Sequence, residues 1–220
     1  MYKSFLSLIA SLFAPSEQLV VVVSEELNAT TAVMQRYEKR GEWEKIGEEV
    51  PVTLGRNGLG YAMDKGPLKN EGDGRSPLGV FAITSTFGYE REGVGRMPYL
   101  YADGGLICID DAGDERYNTI VKLDGEKPRS FEWMRREDGV YRYGAVIGYN
   151  GSGEKGRGSC IFIHLNHPDK RPTSGCTAMD EAPLVELLRW LEPEKKPRIL
   201  QIPKSECVNY KKEFEGIECD

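Results

Sequence analysis

The sequence predicts a mostly β domain of the β-rich α+β class, and three observations support this fold class. Several short runs of β-branched and aromatic residues are bounded by glycine-containing turns, which is typical of strands. The 25 glycines indicate many turns and short strands rather than a helical bundle. The clearest helical spacing is confined to residues 180–191. We therefore expect a mostly antiparallel sheet with one or two helices packed on it.

The early elements are all predicted strands. Residues 18–23, Gln-Leu-Val-Val-Val-Val, form a continuous apolar run that is typical of a buried strand. Residues 30–37 and 43–46 flank a turn that contains Gly41, and this arrangement predicts a hairpin. A further strand is expected at residues 50–54.

The later elements alternate strands with one helix. Strands are predicted at residues 79–84, 141–149, 159–165 and 197–203. Between the last two, leucines follow the i, i+3, i+4, i+7 spacing of an amphipathic helix, and Asp180 is the expected N-cap. These leucines are Leu184, Leu187, Leu188 and Leu191.

Length and charge limit the organisation and the partners. A chain of 220 residues has room for one core-forming domain, which we place at residues 17–203, followed by a polar C-terminal tail at 204–220. The net charge of −6 argues against a nucleic-acid partner. No oligomeric state is indicated.

The N-terminus, residues 1–16, resembles a short secretory signal peptide. One positive charge at Lys3 precedes an apolar run and then Ala14-Pro-Ser16, a small-x-small site with cleavage expected after Ser16. A buried or interfacial first helix is the alternative. The run is too short for a stable membrane anchor, and no other window approaches transmembrane length. We therefore expect an exported protein that is not an integral membrane protein.

The chain has five cysteines. In an oxidising compartment cysteines form disulfides, and an odd number leaves at least one thiol free. Cys207 and Cys219 enclose most of the polar tail, and either a disulfide or two unpaired thiols fits this placement. Cys108 and Cys160 lie in apolar runs, and plain buried residues are the expectation there.

The candidate chemistry lies between His164 and Cys176, twelve residues apart. A cysteine attacks a carbonyl carbon as a thiolate, and a nearby imidazole takes its proton. Strand alternation places His164 rigidly near a strand end. Gly175 precedes the cysteine in a turn, so the amides of Gly175 and Cys176 are a candidate oxyanion site. The following helix start is expected to favour the thiolate, and a buried thiol beside an unrelated histidine is the alternative.

Two other residues are weaker candidates for these roles. His167 lies in the turn-like sequence Asn-His-Pro-Asp, which is typical of an exposed loop. Cys160 shares a predicted strand face with His164, but about 13 Å of extended chain separates the two residues. Proton exchange between them is therefore not expected.

Several motifs surround this pair in a fixed order. The upstream motifs are Gly55-Arg-Asn-Gly58, residues 71–79 (Glu-Gly-Asp-Gly-Arg-Ser-Pro-Leu-Gly), Cys108-Ile-Asp-Asp111, Tyr117-Asn118 and Tyr149-Asn150. Ile-Phe-Ile-His164 and Thr173-Ser-Gly-Cys-Thr-Ala-Met179 follow. Over roughly residues 18–203, this set resembles the L,D-transpeptidase catalytic domain, also called the YkuD-type domain.

The resemblance implies a β-sandwich or barrel and a cysteine acyltransferase that acts on peptidoglycan stem peptides in the periplasm or cell wall. Cys176 would attack the diacid residue of a tetrapeptide stem and expel D-alanine, with His164 as base and then acid. The backbone carbonyl of Leu165 would orient the imidazole ring. If the acyl group passes to an amine, the protein is a transpeptidase, and if it passes to water, the protein is an L,D-carboxypeptidase. A noncatalytic wall-binding domain is the third possibility.

The chain also departs from the family pattern. Ser174 stands where many members have histidine, and Ala178 stands where an arginine would bind a substrate carboxylate. That role is then expected of Arg75, Arg56 or Arg171, although an arginine in such a position is more often a solvated surface residue than a ligand. Substrate contacts are also expected from two residues of the turn before the cysteine, Thr173 and Ser174.

A metal site is not expected. Asp103, Asp110, Asp111 and Asp114 lie close together, but the sequence lacks the glycine and distal glutamate of a calcium loop. A polar turn is the preferred interpretation. Two histidines and no Cys-x-x-Cys sequence give no zinc set. We therefore expect no metal and no cofactor.

Overall fold

The structure, a computed structural model, describes residues 16–63 and 66–219. The predicted signal peptide thus lies outside the described residues except for Ser16. The strands are β1 (Gln18–Ser24), β2 (Thr31–Arg40), β3 (Glu42–Thr53), β4 (Leu59–Tyr61), β5 (Ser76–Gly88), β6 (Tyr99–Tyr101), β7 (Leu106–Cys108), β8 (Ile120–Lys122), β9 (Glu132–Trp133), β10 (Tyr143–Ile147), β11 (Phe162–Leu165), β12 (Thr177–Met179) and β13 (Arg198–Pro203). The helices are α1 (Glu181–Trp190) and α2 (Cys207–Tyr210), with 3-10 turns at Pro193–Lys195 and Lys204–Glu206.

The main sheet closes on itself. Its strands follow the order β10-β11-β12-β3-β2-β1-β13-β5-β4, and β10 also pairs with β5. This additional pairing closes the path into a barrel. Most neighbours are antiparallel, and the parallel pairs are β1–β13, β11–β12, β4–β5 and β5–β6. The predicted β-rich fold is confirmed.

Strand β1 runs through the centre of the core. Leu19, Val20, Val21 and Val22 are each at most 1% exposed, which agrees with the prediction of a strand buried on both faces. It pairs antiparallel with β2, as well as parallel with β13. The two strands predicted at residues 43–46 and 50–54 are one long strand, β3, which forms the predicted hairpin with β2.

Helix α1 packs on the sheet through its leucine stripe. Leu184, Leu187 and Leu188 are buried, as their spacing predicts. Asp180 occupies the N-cap position, but its side chain does not bond the helix amides. Its carboxylate instead accepts hydrogen bonds from Asn166 and Lys170, which tie the helix start to the loop after β11.

The C-terminal segment is folded onto the barrel. Cys207, Phe214 and Ile217 are buried in the main core, and the Phe214 ring lies 5.9 Å from the ring of Trp43. Cys207 and Cys219 form a disulfide. The segment is polar in composition, and these three residues are its buried apolar contacts. Residues 204–219 therefore pack against the barrel.

The expectation that Cys108 and Cys160 are plain buried residues is wrong. They form a disulfide that joins β7, in a small three-stranded sheet, to the turn before β11 in the barrel. Cys160 lies at φ 54°, so it is not part of a regular strand. This pairing spans 52 residues and depends on the docking of the small sheet, which local patterns do not encode.

In the part of the chain that the structure describes, no helix has the length and apolar character that crossing a membrane requires.

Candidate active site

Two neighbouring parallel strands bring the predicted pair into one cleft. His164 lies on β11, and Cys176 immediately precedes β12, which pairs with β11. Both side chains line the same cleft. The other lining residues are Glu132, Arg136, Asp138, Val140, Tyr141, His167, Arg171, Pro172, Thr173, Ser174 and Ala178.

The Cys176 sulfur is held by backbone groups. The Phe162 amide donates a hydrogen bond to Sγ at 3.3 Å, and Sγ lies 3.5 Å from the Cys160 carbonyl oxygen. Cys176 is 8% exposed and is the cysteine that the two disulfides leave free. The two contacts come from the first residue of β11 and from the turn before it, so the backbone of the disulfide-bonded Cys160 contacts the thiol.

The imidazole of His164 is fixed by the backbone of the next residue. Nδ1 lies 2.8 Å from the Leu165 carbonyl oxygen. A carbonyl only accepts, so Nδ1 carries the proton and Nε2 is left as the acceptor of the neutral ring. The Leu165 carbonyl thus holds the imidazole ring in one orientation.

Burial favours the neutral forms of both residues. Burial raises the pKa of the Cys176 thiol to about 12, with Glu132 adding to the shift. Burial also lowers the pKa of His164 to about 4, although the Leu165 carbonyl opposes this shift. These shifts favour a neutral thiol and a neutral imidazole over a preformed thiolate and imidazolium.

The start of α1 does not adjoin the thiol. The whole of β12, Thr177–Met179, separates Cys176 from the helix. The expected helix field at the sulfur is therefore weak, since such fields act mainly within the first turn.

The turn before the cysteine is tightly supported. Gly175 lies at φ 143°, and a Cβ there would stand 2.8 Å from the Arg75 carbonyl oxygen, so this position requires glycine. The Thr173 hydroxyl donates to the Cys176 carbonyl and accepts from the Gly175 amide. The Ser76 hydroxyl also donates to the Cys176 carbonyl. Since the Gly175 amide already has an acceptor, the Cys176 amide is the better oxyanion donor.

The three candidate arginines have different environments. Arg75 donates to the carbonyls of Asn57 and Leu59, and therefore holds its own loop. Arg56 donates to the Ser174 hydroxyl and the Gly72 carbonyl. Arg171 lines the cleft, where an incoming carboxylate could reach it.

Arg136 is a second cleft arginine that the sequence did not single out. Its guanidinium pairs with both carboxylate oxygens of Asp138, which holds the pKa of that carboxyl below its usual range. It also lies 5.2 Å from the ring centroid of Tyr141. No motif marks Arg136, because it reaches the cleft only through the loop after β9.

Tyr141 and Glu132 were also missed. Tyr141 is 4% exposed, and its hydroxyl donates to Glu132 Oε2 at 2.6 Å. Its ring packs edge-on against the ring of His164, with 5.2 Å between centroids. Glu132 lies on the two-residue strand β9 and Tyr141 lies in the turn before β10, so their sequence spacing carries no signal.

Lys69 is a buried cation behind the cleft. It is 2% exposed and pairs with Asp73, and its charge lowers the pKa of Cys176 against the effect of burial. Asp73, in the motif at residues 71–79, thus pairs with the lysine whose charge acts on the thiol.

The weaker candidates are also placed by the structure. Both sulfurs of the Cys108–Cys160 pair are bonded, which removes Cys160 as a nucleophile. His167 lines the cleft, and its Nδ1 lies 2.6 Å from a carboxylate oxygen of Asp169. Its position allows a contact with substrate, whereas His164 has the geometry of a base.

The acidic residues around Asp111 form a polar turn. Asp111 accepts from the Gly113 amide, and Asp114 pairs with Arg116. Among the residues that the structure describes, no group of three or more His, Cys, Asp or Glu side chains is placed to hold a metal ion.

A closed β barrel presents a free cysteine and an oriented histidine in one cleft, which are the residue types of a thiol nucleophile and its base. Residues 18–200 match the YkuD family, described as the L,D-transpeptidase catalytic domain. The chain belongs to this family, whose members act on the stem peptides of cell-wall peptidoglycan. Neither the curated proteins nor the solved structures contain a significant match.

Proposed function

We propose that this protein is an L,D-transpeptidase that acts on tetrapeptide stems through a thioester at Cys176. The observation that carries the proposal is the placement of Cys176 and His164 in one cleft, with the Leu165 carbonyl fixing the histidine tautomer. A buried thiol with an unrelated histidine would not need this orientation.

The first half-reaction forms the acyl-enzyme. As Sγ of Cys176 attacks the carbonyl carbon of the diacid residue, Nε2 of His164 takes the thiol proton. The resulting oxyanion lies near the Cys176 amide. The imidazolium then gives the proton to the departing amine, and the C–N bond breaks. D-alanine is released, and the rest of the stem peptide remains bound to Cys176 as a thioester.

The second half-reaction reverses the proton path. An amine attacks the thioester carbonyl while His164 accepts its proton, and Cys176 leaves as the thiol. The product is a cross-linked or amine-attached stem. Attack by water in place of the amine releases a tripeptide and makes the protein an L,D-carboxypeptidase.

The substrate carboxylates are proposed to meet Arg171 and Arg136. Both arginines line the cleft and present planar guanidinium groups, which bind carboxylates in pairs of hydrogen bonds. Arg56 and Arg75 instead support the loops beneath the turn at residues 173–176. Ser174 lines the cleft beside Arg171 and is the nearer candidate for a polar contact.

Export is part of the proposal. The polymer on which the family acts lies outside the inner membrane, and the two disulfides fit an oxidising compartment such as the periplasm. The apolar run in residues 1–16 would direct the chain there.

Muropeptide analysis after incubation with a disaccharide-tetrapeptide tests the reaction. The proposal expects D-alanine release and cross-linked dimers, both abolished by Cys176→Ala. Tripeptide without dimers would show the carboxypeptidase instead. Unchanged tetrapeptide with the intact protein would support a noncatalytic wall-binding domain and contradict both reactions.

A further inference from the structure

The wall of the cleft carries a tyrosine and a carboxyl group that the proposed reaction does not use. Tyr141 is buried by three aromatic neighbours, with ring centroids 5.7 Å from Phe87, 5.5 Å from Phe162 and 5.2 Å from His164. These contacts fix its ring, and the hydroxyl reaches Glu132. A tyrosine held in this way presents its phenol group at a defined point beside the reacting pair.

We propose that Tyr141 donates a hydrogen bond to the Cys176 sulfur when the sulfur carries negative charge, and that Glu132 is a positioning residue that controls the phenol proton. The inference rests on the proposed function, because a charged sulfur matters only if Cys176 is the nucleophile.

The electrostatics of the cleft support this placement. Tyr141 and Cys176 line the same cleft. Tyr141 acts to lower the pKa of Cys176, whereas the larger effects of burial and the charge of Glu132 raise it. Burial, followed by the charges of Glu132 and Cys176, raises the pKa of Tyr141 well above its usual value. The phenol therefore keeps its proton and remains available as a donor to the sulfur.

A phenol has one proton, and this limits what Tyr141 can do. While Glu132 is ionised, the proton points to its carboxylate. When Glu132 is protonated, its own O–H donates to the phenol oxygen, and the phenol proton is free for the sulfur. The two states of Glu132 thus correspond to two directions of one hydrogen-bond chain.

The surroundings of Glu132 shift its pKa upward. Burial raises its pKa, and the nearby carboxylates of Asp110 and Glu71 add to this effect. Its hydrogen bond with Tyr141 and the charge of Arg136 act in the opposite direction. Tyr141 itself faces Arg136 and His164 as well as Glu132 and Cys176.

The test measures the rate at which iodoacetamide alkylates Cys176 in the folded full-length chain, as a function of pH. Tyr141→Phe keeps the ring and removes the donor, and we expect alkylation at neutral pH to slow about tenfold, as for loss of one hydrogen bond to a charged group. Tyr149→Phe is the matched control, because Tyr149 is also buried and donates to a backbone carbonyl, that of Arg157. It should alkylate at the unmodified rate.

Glu132→Gln tests the positioning role, because the amide N–H₂ donates to the phenol oxygen as a protonated carboxyl does. We expect faster alkylation, with a smaller gain when Tyr141→Phe is also present. An equal gain in both backgrounds would show that Glu132 acts by charge alone and overturn its positioning role. An unmodified rate in Tyr141→Phe would overturn the donor role.

A second measurement of the Cys176 pKa is used for any variant that packs poorly. Thiolate absorbance followed by pH titration reports the same pKa, since the other four cysteines are in disulfides. Each titration is read as the difference from the same protein carrying Cys176→Ala, so that the absorbance of the ionising tyrosines cancels. Neither measurement uses a peptide substrate. If the variants alkylate at the expected rates but the protein does not turn over tetrapeptide, only the proposed function is contradicted. If the protein turns over tetrapeptide but the variants alkylate at the unmodified rate, only this inference is contradicted.

Discussion

At the scale of the residue, burial and single hydrogen bonds determine how the reacting pair behaves. The depressed pKa of His164 and the raised pKa of Cys176 mean that proton transfer accompanies attack on the substrate instead of preceding it. The Leu165 carbonyl supplies orientation without adding a charged carboxylate to the site. Reactivity is therefore expected to depend on the substrate excluding water and aligning the carbonyl carbon with Sγ.

The buried neutral histidine predicts a loss of stability in acid. His164 has a pKa of about 4 in the folded chain and an ordinary value near 6.5 when unfolded, so the unfolded state binds more protons as the pH falls between these values. The extra proton bound by the unfolded state lowers the free energy of unfolding by up to about 3 kcal/mol at pH 4. We expect the stability difference between the natural chain and His164→Gln to shrink over this window in denaturant titrations. A difference that does not vary with pH would contradict a buried neutral His164.

At the scale of the element, β11, β12 and the turn between them create the site. β11 carries His164, and its leading segment supplies the amide and carbonyl groups that contact the Cys176 sulfur. The turn is held by Thr173 and Ser76 through the Cys176 carbonyl. A strand register, rather than a helix end, therefore sets the distance between base and nucleophile.

Replacement of Gly175 tests this view of the turn. Gly175→Ala would place a methyl group 2.8 Å from a backbone oxygen at positive φ, with a cost of about 1–3 kcal/mol in stability. Displacement of the nucleophile by about 1 Å is expected to lower the acylation rate roughly 100-fold. Gly125→Ala is the matched control, because Gly125 also has positive φ but open space around its Cβ position. Equal acylation rates in the two variants would contradict the requirement for this turn.

At the scale of the whole molecule, two disulfides join parts that the barrel alone does not hold. Cys108–Cys160 ties the small sheet to the barrel beside the nucleophile, and Cys207–Cys219 closes the C-terminal segment over the core. The first bridge is therefore linked to the site as well as to stability, whereas the second serves the fold.

Paired serine substitutions separate these two roles. Loop-closure entropy predicts losses of about 4 kcal/mol for Cys108→Ser with Cys160→Ser and about 3 kcal/mol for Cys207→Ser with Cys219→Ser, measured by denaturant unfolding. Only the first pair is expected to change the rate of Cys176 alkylation, because the Cys160 carbonyl contacts Sγ. The same alkylation rate in both double variants would show that the first bridge does not position the thiol.

Local patterns predicted the fold better than they predicted the site. The strands, the leucine-rich helix and the pair His164 and Cys176 each have a short-range signal, such as alternation or helical spacing. The residues of the cleft wall have no such signal. Glu132 lies on the two-residue strand β9, Arg136 and Tyr141 lie in irregular segments, and the three meet only when the small sheet docks. The Cys108–Cys160 bridge was missed for the same reason.

The central claim is that Cys176 forms a thioester with the stem peptide. Intact-mass analysis of the full-length protein after brief exposure to a disaccharide-tetrapeptide tests it most directly. The account predicts a mass increase equal to the donor minus D-alanine, located on the peptide that contains Cys176 and absent in Cys176→Ala. Release of D-alanine by Cys176→Ala at the rate of the natural chain would contradict it.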